Sequence, residues 1–133
     1  MIDTYKILLP LYVSPIQAGF PSPADDYIEL ELNLNEHLIQ NPSATFCVKV
    51  KGNSMEGANI HAGDILLVDR SKPATSGKVV VAVLNGEFTV KRLLLTEKGT
   101  YLVPEHPAYK PIPISEDSEF QIWGVVTYTI HKH

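Results

Sequence analysis

Lys78-Val79-Val80-Val81-Ala82-Val83-Leu84-Asn85-Gly86-Glu87-Phe88-Thr89-Val90-Lys91 is the stretch that decides the fold class. A run of β-branched residues meets Asn-Gly, and a second run carrying Phe, Thr and Val leads away from it. Asn-Gly supplies positive φ at both centre positions of a two-residue turn, so the stretch predicts a β-hairpin. Lys91 then stands on the returning strand, Glu87–Leu95. Strand parity puts it on the face of Thr89, Leu93 and Leu95, while Arg92 shares the face of Phe88 and Val90. One of two adjacent cations must therefore sit among apolar neighbours, unless the strand twists or bulges. A lysine is rarely buried unless it is paired or functional. Its stem can also pack while the ammonium reaches water.

The strand pattern extends outward on both sides. Upstream, Phe46, Val48 and Val50 alternate with Cys47, Lys49 and Lys51, which predicts a strand from Thr45. His61-Ala62-Gly63 turns into the apolar run Asp64–Asp69. Downstream, Glu97-Lys98-Gly99 turns into Thr100–Val103. Pro104, Pro107, Pro111 and Pro113 mark an irregular connection or edge segments. Glu119–Ile130, with Trp123, is the last strand region. The best helix candidate is Asn33–Gln40: Leu34 and Leu38 stand at i, i+4, Asn33 can cap the start, and Asn41-Pro42 ends it. So short a helix persists only if it packs on something. Residues 1–30 read as an extended arm, because Pro10, Pro15, Pro21 and Pro23 forbid a continuous helix. In that arm Ile7–Val13 is an apolar docking part, Ala18-Gly19 a small-residue joint and Phe20–Pro23 a tether. The whole is mostly β: an arm over 1–30, then a single β domain over 31–133 with one or two short helices.

Composition narrows the function. The chain has 133 residues, 44% hydrophobic and 20% charged, which suits one soluble domain with a real core. Its net charge of −4, without a basic run, disfavours strong direct binding to nucleic acid. Cys47 stands alone, so no internal disulfide forms, which fits a reducing compartment. No run approaches the roughly 18–20 apolar residues of a membrane span. Ile7–Val13 followed by Gln17-Ala18 imitates a signal peptide, but Asp3, a lone Lys6, Pro10 and Pro15 spoil the pattern. His37, His61 and His106 are scattered, and His131 and His133 read as a solvated tail. No Cys/His ligand spacing appears, so neither a metal nor a cofactor is expected.

The stretch with chemistry to offer is Gly52-Asn53-Ser54-Met55-Glu56-Gly57. The glycines permit a tight backbone that exposes the Ser54 hydroxyl and aims amide N–H groups at one point. Asn53 and Ser54 are the candidate backbone donors of an oxyanion hole. Taken alone, the same residues also suit an ordinary turn or a helix N-cap. A hydroxyl is a weak nucleophile until a base takes its proton. A lysine has an ordinary pKa of about 10.4. Burial disfavours the ammonium and lowers that value, which would fit Lys91 for the task.

Ser22-Pro23-Ala24-Asp25-Asp26-Tyr27, Leu38-Ile39-Gln40-Asn41-Pro42-Ser43-Ala44-Thr45, Gly52-Asn53-Ser54-Met55, Gly63-Asp64-Ile65-Leu66-Leu67-Val68-Asp69 and Gly86-Glu87-Phe88-Thr89-Val90-Lys91, in this order, resemble the LexA/UmuD family of self-cleaving serine–lysine peptidases. Within it they look like the UmuD type. The resemblance runs from Ser22 to the C-terminal strand. It implies a strongly curved, mostly-β body that pairs into homodimers. Ser54 would be the nucleophile and Lys91 the general base, with self-cleavage between Ala18 and Gly19. Only a short arm precedes that bond, where repressors of the family carry a DNA-binding domain. The resemblance further implies a cytoplasmic protein of the SOS response to DNA damage. Cleavage would be stimulated by a RecA filament on single-stranded DNA. The trimmed form would join a UmuC-type subunit in an error-prone translesion polymerase. Two other readings compete: a non-catalytic dimeric module that regulates a polymerase, and a signal-peptidase-like enzyme, which the lack of an apolar anchor disfavours.

Overall fold

The computed structural model describes residues 6–12 and 29–133, so Ala18 and Gly19 lie outside the described residues. Among those described, the strands are β1 (Leu8–Tyr12), β2 (Glu29–Asn33), β3 (Thr45–Lys49), β4 (Ile65–Asp69), β5 (Val79–Leu84), β6 (Glu87–Thr96), β7 (Gly99–Val103), β8 (Ile112–Ile114) and β9 (Phe120–Ile130). The described residues also form an α-helix, α1, over Leu34–Leu38. The architecture is mostly β, as expected. Contacts group the chain into two units, Met1–Gln40 and Asn41–His133.

The second unit holds a seven-stranded antiparallel sheet in the order β3-β4-β9-β5-β6-β7-β8. The Asn85-Gly86 hairpin forms as its residues require: φ is 50° at Asn85 and 84° at Gly86, and Leu84 lies opposite Glu87. β5 is central, and its residues alternate between two cores. Val81 joins Met55, Ile60, Leu66 and Val68. Val80 and Ala82 join Leu93, Leu102 and Val125. A strand covered on both faces must be apolar at every position, which explains the unbroken Val/Ala run. Leu66, Val68, Leu93 and Leu102 are fully buried, and each such side chain is worth about 1.5–3 kcal/mol. Phe46, Val48 and Val50 pack against the first core, while Cys47 is exposed, matching the period-two reading of β3. β9 is irregular on both sides, its register shifting between Leu67 and Val68 on β4 and between Val81 and Ala82 on β5. Gly124 allows that approach, since a Cβ there would come within 2.7 Å of Val68 Cγ1.

Two buried carboxylates stitch the sheet ends. Asp69 accepts from Asn41 Nδ2 and from the Ser71 N–H and hydroxyl. Asp64 is 3% exposed and accepts from the His61 N–H. Its other oxygen lies 2.6 Å from His131 Nδ1. His131 and His133 are exposed, as the solvated-tail reading expected, but the tail is not free: the His131 ring is tied to a buried charge, and His133 stacks edge-on against it. Among the described residues, no group of three or more His, Cys, Asp or Glu is arranged to hold a metal. No helix among them is long and apolar enough to cross a membrane.

In the first unit β1 pairs antiparallel with β2, setting Leu9 opposite Leu32 and Leu11 opposite Leu30. Pro10 sits in β1, within the two-stranded sheet, where a strand edge needs no N–H. The apolar arm segment therefore has a strand partner that the sequence reading did not assign. The signal was present: Glu29-Leu30-Glu31-Leu32-Asn33 alternates with period two. Asn33 caps α1 as anticipated, its side chain accepting from Glu36 N–H at 3.3 Å. The helix is shorter than the expected Asn33–Gln40, ending at Leu38, and a 3-10 turn follows at Pro42–Ala44.

Candidate active site

The loop bearing Ser54 leaves β3 through Gly52, whose φ of 87° suits only glycine, and closes with a 3-10 turn at Glu56–Ala58. Met55 anchors it, being 2% exposed within the first core. Its neighbour Ser54 is left half-buried beside a pocket of about 260 Å³. This is why Ser-Met works as a pair: one side chain plugs the core, and the other is held at its rim.

The loop is also clamped from outside by the connection between β7 and β8. Glu105 N–H donates to Ser54 O at 2.8 Å, and Gly57 N–H donates to Glu105 O at 2.7 Å. A Cβ on Gly57 would meet that carbonyl at 2.7 Å, so glycine is demanded by close approach. Tyr109 hydroxyl donates to Asn53 Oδ1 at 2.8 Å. Ala108 N–H donates to His106 Nδ1, so the neutral ring carries its proton on Nε2, 3.8 Å from Glu56 Oε2. Among the described residues, the backbone bonds closing the turn are donated by Glu56 to Asn53 O, by Ala58 and Ile60 to Met55 O and by Asn59 to Glu56 O, and none is donated by Asn53 or Ser54. The two candidate oxyanion donors thus have no competing carbonyl there.

Lys91 reaches Ser54 from β6. Its Nζ lies 3.0 Å from Ser54 Oγ, 2.8 Å from Thr89 Oγ1 and 3.0 Å from Val90 O. As an ammonium, Lys91 donates to all three oxygens. Once neutral it keeps two N–H bonds, enough for Thr89 and Val90, and gains a lone pair that can take the Ser54 hydroxyl proton. Burial pushes the Lys91 pKa below the ordinary lysine value. The apolar wall responsible differs from the expected one. Leu95 is exposed and Leu93 belongs to the second core. The apolar part of the pocket lining around Lys91 is instead Val48, Val50, Met55, Val81, Phe88 and Val90, with Lys49 and Lys51 also on its wall. The problem of two adjacent cations is resolved by pairing: Arg92 forms an ion pair with Glu105 and donates to Gly77 O.

The pocket lies between two strand edges. β6 pairs with β5 over Glu87–Arg92 but with β7 only from Arg92 onward. β3 pairs on one side only, with β4. Among the described residues, the edges of Val48–Lys51 and Phe88–Lys91 therefore flank the pocket with no strand between them. Such edges offer backbone donors and acceptors to an extended peptide. At the outer end Phe88 meets Trp123 edge-on at 5.1 Å.

Sequence reasoning named Ser54 and Lys91, and the structure brings them together. It did not give roles to Thr89, Glu105 or Tyr109. Parity with Lys91 was a usable signal for Thr89; for the other two, distant in sequence and in a Pro-rich connection, there was none.

The description "Peptidase S24-like" belongs to the family model that matches residues 10–127. Protein MucA of Salmonella typhimurium is 48% identical over 126 residues, covering 94% of this chain and 86% of that protein. Protein SamA of Salmonella typhimurium (strain LT2) is 47% identical over 123 residues, covering 92% and 85%. The LexA repressor of Bordetella avium is 37% identical over 128 residues, covering 96% of this chain and 59% of the repressor.

Proposed function

The chain belongs to the peptidase S24-like family, and on that footing we propose that it is a self-cleaving serine endopeptidase of the UmuD type. The observation that carries this reading is the 3.0 Å hydrogen bond between Lys91 Nζ and Ser54 Oγ in a largely apolar pocket. Neutral Lys91 takes the hydroxyl proton as Ser54 Oγ attacks the Ala18 carbonyl carbon. The N–H groups of Asn53 and Ser54 receive the oxyanion. Lys91 returns the proton to the Gly19 nitrogen as the C–N bond breaks. A water deprotonated by Lys91 then hydrolyses the Ser54 ester, releasing the fragment ending at Ala18 and restoring the hydroxyl. No metal or redox group is needed for the proton balance.

In this reading residues 1–30 are the arm that presents Ala18-Gly19, and residues 31–133 are the peptidase. The resemblance to UmuD-type proteins supports a cytoplasmic role in SOS mutagenesis. The protein would act as a homodimer, cut itself when stimulated by a RecA filament on single-stranded DNA, and in trimmed form serve a UmuC-type translesion polymerase.

A serine-reactive fluorophosphonate, mapped by peptide mass at alkaline pH, tests the dyad without the arm. Labelling is expected at Ser54 and should fall at least tenfold in Lys91→Met. Labelling at another serine, or equal labelling in the variant, would overturn the assignment.

A further inference from the structure

We infer that Glu105 is a positioning residue that sets the separation of the nucleophile and the base, resting on the reading of Ser54 and Lys91 as a dyad. Ser54 and Lys91 sit on different elements, and nothing in the loop or in β6 alone fixes the gap between them. Glu105 touches both sides. Its backbone N–H holds Ser54 O, and its carbonyl holds Gly57 N–H, so it brackets the nucleophile's loop. Its carboxylate pairs with Arg92, the residue next to Lys91. Arg92 is fixed in turn by its second bond, to Gly77 O at 2.6 Å. Tyr109 of the same connection adds its bond to Asn53. One residue therefore bridges the nucleophile's loop and the base's strand, through its main chain on one side and its side chain on the other. The Glu105 and Arg92 side chains are about one-third exposed (33% and 36%), so solvent limits what the ion pair adds to stability, and its role is geometric.

The charges allow a sharp test. If Glu105 and Arg92 acted only through the field at Lys91, removing the anion would lower the pH at which the self-cleavage rate rises. Removing the cation would raise it, and the plateau rate would stay unchanged in both. A positioning role predicts the same sign for both: a lower plateau, since misplacement of reacting groups costs rate directly. The experiment measures self-cleavage against pH for the whole chain, for Glu105→Ala, for Arg92→Ala and for the double variant, with thermal melts alongside. The expected result is a plateau about 5–10-fold lower in each single variant, and no lower in the double variant than in either single one, as coupled residues behave. Glu105→Gln keeps an acceptor for Arg92 and should recover most of the rate; it is read in place of Glu105→Ala if that variant does not fold. Wild-type plateaus in the single variants, or a double variant whose losses multiply, would overturn the inference. A Ser54→Ala chain that still cuts at the wild-type rate would instead overturn the dyad on which it rests.

Discussion

Lys91 is where sequence, burial and chemistry meet. Its pocket lowers its pKa by desolvation. If Lys91 is the base, as proposed, it works only when neutral, so the self-cleavage rate should rise with pH and level off above the lowered pKa, below the ordinary lysine value of about 10.4. Lys91→Arg should be inactive at every pH, since a guanidinium stays protonated. The stability sign follows from the same shift. Between the folded and unfolded pKa values the unfolded chain binds more protons, so this group's contribution to stability rises with pH. Lys91→Met should therefore be cleavage-dead yet melt higher at neutral pH, and a lower melting temperature would contradict the buried-lysine account. Thr89→Val removes an acceptor that orients the amine. It should lower the plateau rate about 3–10-fold, in keeping with the loss of one well-placed hydrogen bond. That Ser54 and Lys91 come together was legible through the ordered resemblance of their two segments to one family; taken alone, each pattern suited an ordinary turn or a snorkelling lysine. The wall around Lys91 was not, because strand parity names the residues on a face and says nothing of which loop closes over them.

At the level of elements, local chemistry was the part that could be read. Asn-Gly dictated the β5–β6 hairpin, and alternation dictated β3. The pairing of β1 with β2 joins segments separated by a long connection, whose many Pro, Gly and Ser residues name no two-residue hairpin turn that would bring the strands together. The β7–β8 connection looked merely irregular, yet it is the outer clamp of the Ser54 loop. Gly57→Ala tests that clamp. The added Cβ would strike a backbone carbonyl, which should cost about 1–3 kcal/mol in urea unfolding, as overpacking does, and should slow cleavage. Asp64 gives a second test. Its pKa is lowered mainly by the His61 N–H and then by His131. A depressed carboxylate contributes stability that is fully present above its unfolded pKa, about 3.9, and that is lost as pH falls through the folded value. Asp64→Asn should melt lower near neutrality and show a flatter acid limb. Equal slopes in the two proteins would remove Asp64 from the acid response.

For the molecule as a whole, the proposal is a switch that acts once. The substrate is the chain's own arm, and tethering supplies an effective concentration that a free peptide lacks. A separate peptide covering Ile7–Pro23 should therefore be cut negligibly. Whole Ser54→Ala protein and a chain beginning at Gly19 should differ in their affinity for a polymerase subunit, since trimming matters only if the two forms bind differently. The central claim, that Ser54 and Lys91 cut the chain's own Ala18-Gly19 bond, is met most directly by intact-mass measurement of the purified chain after long incubation at alkaline pH. The account predicts that wild type splits into Met1–Ala18 and Gly19–His133, while Ser54→Ala and Lys91→Arg stay whole. The same two fragments from Ser54→Ala would contradict it.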